Sequence, residues 1–195
     1  MHWLDSTRKE IEIQTATGKL PDLKQLVAAL DDPDAQVRCA AAQALPAHLP
    51  QFLALLEDEH FELRLTAIQY LRRISNPAIA PALVAHLTDS DSDVRRAAAQ
   101  ALGSVRDPAA LEPLILSLVD EEPAVRHAAA AALEEIDPRW VRHDAVQRAI
   151  PRLEALRADP QPWIAAAAEK ALMKIQAANY SSTEFWKRES GIRKL

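Results

Sequence analysis

Asp89-Ser90-Asp91-Ser92-Asp93-Val94-Arg95-Arg96-Ala97-Ala98-Ala99-Gln100-Ala101-Leu102-Gly103 decides the fold. An acid-rich turn runs into an apolar anchor and a basic residue, then into alanines. Aspartate and serine ahead of Val94 supply side-chain oxygens for the orphan N–H groups of a helix start. The alanines behind it are the best helix formers and the smallest packing surface. Working outward, the phrase repeats. A leucine precedes the anchor by seven positions in five places: Leu30 to Val37, Leu56 to Leu63, Leu87 to Val94, Leu118 to Val125 and Leu156 to Trp163. The anchors are 26, 31, 31 and 38 residues apart, so a fixed local register is combined with insertions between units. Self-similarity on this scale marks a repeat architecture.

Each unit reads as two helices. The first carries leucines at helical spacing, as in Leu23, Leu26, Val27 and Leu30, or Leu111, Leu114, Ile115 and Leu118. The second begins after the acidic turn. Gly103 suits the position after its last turn, where the chain turns left-handed, and Asn76-Pro77 and Asp107-Pro108 break the pattern before the next unit. One such pair cannot bury its apolar stripe alone, so neighbours must stack. The expected architecture is an all-α, right-handed α-solenoid of about five helix pairs. The extra residues before the fifth unit predict an irregular connection around Asp137 to Asp144.

Composition agrees. About a fifth of the 195 residues are alanine, aromatics make up 5%, and there are three glycines. Alanine is a poor strand residue, which argues against a sheet. The single cysteine, Cys39, excludes a disulfide framework and a cysteine zinc site. The net charge is −5, with −1 in residues 1–18 and +2 in residues 179–195, which leaves −6 on the repeats. Such a surface is wrong for general nucleic-acid binding, which releases counterions from a basic face. No stretch approaches the roughly 20 apolar residues of a membrane span. The opening Met1-His2-Trp3-Leu4-Asp5 has neither the basic flank nor the apolar run of a signal peptide, and a cytoplasmic protein is expected.

With the phrase Asp-x-x-x-x-Val-Arg-x-x-Ala-Ala-x-Ala-Leu-Gly in view, best matched from Asp89 to Gly103, the chain resembles the HEAT-repeat family over roughly residues 20 to 178. More narrowly, it resembles the short bacterial HEAT-like repeats of phycobilisome-type bilin lyases. The implied layout is an N-terminal capping helix in 1–19, a solenoid over 20–178, and a C-terminal segment over 179–195. That last segment is either a capping helix, with Ser181 and Glu184 as its capping box, or a docking tail. It gathers Phe185, Trp186, Ile192 and Leu195 among Lys187, Arg188, Arg193 and Lys194.

The resemblance also assigns roles. Asp32, Asp58, Asp89 and Asp120, with Arg38, Arg64, Arg95 and Arg126, correspond to the Asp–Arg ladder that joins adjacent units in HEAT-like arrays; a polyanion groove is the other use of such a series. In the fifth unit Ala158 and Ile164 occupy those places. Counting the anchor as zero, positions 0, 4, 7 and 8 fall on one side of the second helix and positions 2, 6 and 9 on the other. The first set, Val94, Ala98, Ala101 and Leu102, is expected core. The second, which in HEAT solenoids lines the concave surface, gives Cys39, Gln43, Leu65, Gln69, Arg72, Arg96, Gln100, His127 and Glu134 as candidate protein-binding residues.

Catalytic precedents among HEAT-like proteins do not fit. Deoxyhypusine hydroxylases carry His-Glu pairs after the Val-Arg phrase to hold iron, but here His127 is followed by Ala128. No His-x-x-x-His pair is present for a helical zinc site. Alkylpurine DNA glycosylases use a basic, aromatic-walled surface, whereas these repeats are acidic and contain only Trp140 and Trp163 among their tryptophans. The expectation is a non-enzymatic adaptor, scaffold or assembly factor without a cofactor, binding another protein through an acidic element. The alternative, implied by the narrower resemblance, is a factor for tetrapyrrole attachment or removal.

Overall fold

The structure is a computed structural model that describes residues 23–189 except 31 and 75. The expected N-terminal cap and residues 190–195 lie outside the described residues, as do the side chains of Leu23, Leu26, Val27, Phe185 and Trp186. Ten α-helices and no strand are present among the described residues. They form two compact units divided between Ser75 and Asn76.

The first unit contains two helix pairs: α1 (Leu23–Leu30) with α2 (Ala35–Ala44), and α3 (Leu49–Leu55) with α4 (Phe61–Ile74). The second contains three: α5 (Ala80–Ala85) with α6 (Ser92–Val105), α7 (Leu111–Leu116) with α8 (Pro123–Ile136), and α9 (Asp144–Leu156) with α10 (Pro162–Glu189). The helix-pair repeat of a HEAT-like α-solenoid is therefore seen in each unit.

The first helices α5 and α7 are short because proline and tight turns bracket them. Asn76 and Asp107 accept hydrogen bonds from Ala78 and Ala109 N–H at 3.0 and 2.9 Å, which starts 3-10 turns at Pro77 and Pro108. A second 3-10 turn closes each helix, at His86–Thr88 and Ser117–Val119. Asp91 caps α6 by accepting from Asp93 and Val94 N–H at 2.9 and 3.2 Å. At α8 the cap is replaced by Pro123, which needs no N–H partner in the first turn.

The core follows the anchor register. Val37, Val94 and Val125 have no exposed surface, nor do Ala98, Ala101, Leu102, Ala129 and Leu133. Each fully buried valine or leucine among them contributes about 1.5–3 kcal/mol relative to exposure. Small residues let α6 and α8 run close together. Gly103 makes the point: a Cβ placed there would lie 3.0 Å from Ala132 Cα and 3.1 Å from Ala132 Cβ.

Four sequence expectations change. Gly103 is inside α6 rather than after it; the left-handed cap is Arg106, with φ 59° and ψ 34°. The sequence asks for glycine at a cap, but close packing against Ala132 claims it first. In the fifth pair the core register starts one residue later than Trp163, which is 38% exposed. Ile164 is half-buried there, and Ala168, Ala171, Leu172 and Ile175 are buried. The turn before it holds one extra residue, so the turn aspartate is Asp159 rather than being lost at Ala158. Leu63, the anchor of the second pair, is 41% exposed. Finally, α10 continues past residue 178 to Glu189, because residues 163–189 contain neither glycine nor proline. Ser181 and Glu184 lie inside that helix instead of starting one.

The seven extra residues before the fifth pair form a plug. Asp137 turns the chain by accepting from Arg139 N–H at 2.8 Å, and a 3-10 turn at Trp140–Arg142 follows. Trp140 is 1% exposed, and the turn that holds it packs against α8, α9 and α10.

Candidate protein-binding faces of the two units

The acidic turns set the direction of every second helix. Asp32, Asp58, Asp89, Asp120 and Asp159 each accept a hydrogen bond from the N–H two residues later, at 2.8–2.9 Å. The arginine six residues after each of the first four returns to the same turn. Arg38 Nη1 donates to the carbonyls of Asp32 and Pro33 at 2.7 and 2.9 Å. Arg64 Nη1 does so to Asp58 and Glu59, at 2.8 and 3.1 Å. Arg95 Nη1 reaches Asp89 and Ser90, and Arg126 Nη1 reaches Asp120 and Glu121. In the fifth pair Ala165 takes the arginine's place. These pairs therefore clamp their own turns through backbone oxygens.

A rung between pairs is present at Arg95. Its Nε and Nη2 donate to Asp120 Oδ2 and Oδ1 at 2.8 and 3.0 Å, and Nη2 also donates to Glu121 Oε1 at 3.1 Å. The Arg95 and Asp120 side chains are only 8% and 10% exposed. The hydrogen bonds that Arg95 donates to Asp120, with the charges of Asp120 and Glu121, outweigh burial and raise the Arg95 pKa. Asp58 shifts the opposite way: its pKa is lowered chiefly by the backbone N–H of His60, then by the His60 ring at 3.0 Å.

The side of the second helices opposite the core is largely open. In the first unit Cys39, Gln43, Gln69 and Arg72 are exposed and Leu65 is half-buried. Gln43 Nε2 donates weakly to Cys39 Sγ at 3.8 Å. Neighbouring Arg73 donates to the Leu30 carbonyl at 3.3 Å and lies 5.6 Å from the Tyr70 ring centroid. Tyr70 in turn stacks on Phe52 at 5.6 Å.

In the second unit Gln100, His127 and Glu134 are exposed and Arg96 is half-buried. Arg96 Nη2 pairs with Asp93 Oδ1 at 2.6 Å, so the positive charge foreseen there is already balanced. His127 Nδ1 lies 2.8 Å from the Pro123 carbonyl. Glu134 Oε1 accepts from Lys174 Nζ at 3.0 Å and from Trp140 Nε1 at 3.2 Å, while Lys174 Nζ sits 5.1 Å from the Trp140 ring centroid. Lys174 and Trp140 were not expected at this face. Trp140 is in the insertion, and Lys174 joins it only because the fifth pair is shifted by one residue.

Among the described residues no group of three or more His, Cys, Asp or Glu side chains could hold a metal ion, and no helix is long and apolar enough to cross a membrane.

The HEAT-repeat family model matches residues 23–102, 49–134 and 80–173. The chain belongs to the HEAT-repeat family. The HEAT repeats are also similar to the CpcE–CpcF complex of phycocyanin lyase from Nostoc sp. PCC7120, at 27% identity and a TM-score of 0.46, covering 80% of this chain and 66% of that one. A designed armadillo repeat protein in complex with the peptide (KR)4 is 20% identical over 89% of this chain and 90% of its own, with a TM-score of 0.47. A computationally designed armadillo repeat protein for modular peptide recognition is 22% identical over 85% of each chain, with a TM-score of 0.44. Among curated proteins none matches this HEAT-repeat chain.

Proposed function

We propose that this HEAT-repeat protein is a non-catalytic interaction module that binds another protein through the open side of its second helices. The observation that carries the reading is the recurrence of exposed, uncharged or basic side chains at one register position after another: Gln43, Gln69 and Arg72 in the first unit, Gln100 and His127 in the second. The glutamines hydrogen-bond a partner backbone or carboxylate without adding a charge, and Arg72 adds a positive one. Binding energy in interfaces concentrates in a few side chains, with arginine prominent among them.

Arg72 is exposed, and its planar fork suits a partner carboxylate. Arg96 is held by Asp93 in a pair whose side chains are 42% and 55% exposed, and exposed pairs of this kind contribute little, so an incoming carboxylate can compete for it. The partner is accordingly read as a protein presenting an acidic element.

The test is a pull-down from the native source with mass spectrometry, using Arg72→Glu and Arg96→Glu separately and together. Loss of the captured partner with unchanged helicity is expected. Lys187→Glu with Arg188→Glu serves as the comparison. Binding lost in that variant alone would reject the second-helix face in favour of the C-terminal segment. An absorption change on mixing the intact chain with a bilin would favour the tetrapyrrole reading instead.

A further inference from the structure

The second helix of the fifth pair, α10, is apolar on two sides. Ala168, Ala171, Leu172 and Ile175 are buried on one of them. Roughly opposite on the helical wheel stand Trp163, Ala166, Lys170, Met173 and Ala177, spaced alternately by three and four residues, with Lys174 beside them. All six are exposed, Met173 at 57% and Trp163 at 38%. The stripe covers about 100° of the helix circumference and about 21 Å of its length. Trp163 Nε1 already donates to Gln161 Oε1 at 2.9 Å, so the ring offers carbon surface. Lys170 has no ion pair among the described residues, and Lys174 shares Glu134 in an exposed pair. Glu169, on the flank, is bound to Arg157. The equivalent side of α6 and α8 is polar, with Arg96 and Gln100 on one and His127 and Glu134 on the other.

We propose that this stripe docks an amphipathic helix of a partner protein, with acidic residues flanking its apolar seam. The proposal rests on the second-helix reading above and places an apolar anchor for it in the fifth pair. With the core register starting at Ile164, Ala166, Lys170 and Met173 stand two, six and nine residues on, where α8 has His127, Ala131 and Glu134. Alternating steps of three and four residues along one helix make the seam into which a second helix packs, at about 20° to the first. Ala166 and Ala177 allow close approach, while Trp163 and Met173 supply contact area. A partner helix of about 14 residues matches the length. The lysines select its sign, because the stripe holds two cations and no acid. The same charges count against the chain's own segments. Residues 190–195 contain Arg193 and Lys194 and no acid, and the stripe of a second copy would set lysine against lysine.

The probe is a fluorescently labelled helical peptide of about 14 residues, with leucine at the seam positions and glutamate beside them. Fluorescence anisotropy with the full chain should report binding, and a peptide with lysine in place of glutamate should bind roughly tenfold more weakly or worse. Met173→Glu with Ala166→Glu, at positions already exposed, should leave helicity intact and weaken binding by roughly tenfold or more. Lys170→Glu should weaken the glutamate peptide and strengthen the lysine peptide. No binding, equal binding of the two peptides, or binding that these changes leave intact overturns the proposal. Met173-dependent binding to anionic phospholipid vesicles without peptide binding would also overturn it, by making the stripe a membrane contact. Met173-dependent self-association in sedimentation velocity would do so by assigning the stripe to a second copy. A native partner lost by Arg72→Glu with Arg96→Glu, yet kept by Met173→Glu, would uphold the second-helix reading and overturn this one. A partner lost by Met173→Glu alone would uphold the stripe and remove the two arginines as anchors.

Discussion

Removing the Arg95 side chain should destabilise the second unit far more than removing Arg126, although the two occupy the same repeat position. Both guanidinium groups clamp their own turn, Arg95 at the carbonyls of Asp89 and Ser90 and Arg126 at those of Asp120 and Glu121. Arg126→Ala loses those bonds where water can replace them, a cost of about 1–1.5 kcal/mol. Arg95→Ala also strands Asp120, whose side chain is 10% exposed and has been receiving two of the arginine's donors. Breaking a buried pair from one side costs about 3–5 kcal/mol. Asp120 keeps the Glu122 N–H at 2.9 Å, which places the expected loss at the lower end, near 3 kcal/mol. Arg95→Met retains much of the stem packing and should fall between the two. Urea titrations followed by circular dichroism are the assay, since an ionic denaturant would screen the pair under study. An Arg126→Ala loss equal to or larger than that of Arg95→Ala would refute the claim that burial and the cross-pair rung set the magnitude.

Leu102→Ala, at a position with no exposed surface, should cost about 2–5 kcal/mol, whereas Gln100→Ala on the open side should stay within about 0.5 kcal/mol in the same titration. Gly103→Val should destabilise by about 1–3 kcal/mol, because even a Cβ meets the Ala132 backbone at 3.0 Å; a neutral result would show that α6 and α8 separate easily. The Asp58 pKa is lowered from 3.8 in the folded chain, so the unfolded state binds the proton first as pH falls. The stability this carboxylate contributes is therefore present above about pH 4 and lost below it. Asp58→Asn should flatten the acid limb of the melting temperature against pH, and an unchanged limb would remove Asp58 as a contributor.

The five helix pairs were legible in the sequence because their signals are local. An acidic residue accepts an N–H two positions later wherever the turn recurs, alanine favours helix wherever it stands, and a spacing of 3.6 residues per turn separates Val94 and Leu102 from Gln100 without reference to any neighbour. The open positions Cys39, Gln43, Gln69, Arg72, Gln100 and His127 were found by the same count. What the count could not supply was anything that depends on a second element. Gly103 satisfies the local grammar of a helix end, yet the approach of Ala132 places it mid-helix and leaves the left-handed cap to Arg106. Trp163 satisfies the seven-residue spacing, yet an extra turn residue gives the core to Ile164 and its successors. Arg95 and Arg126 are indistinguishable by position, and only the packing of α6 against α8 decides that one reaches a buried carboxylate in the next pair. Local free-energy preferences write the elements into the chain; which side chains are desolvated, and by whom, is a property of elements meeting in space.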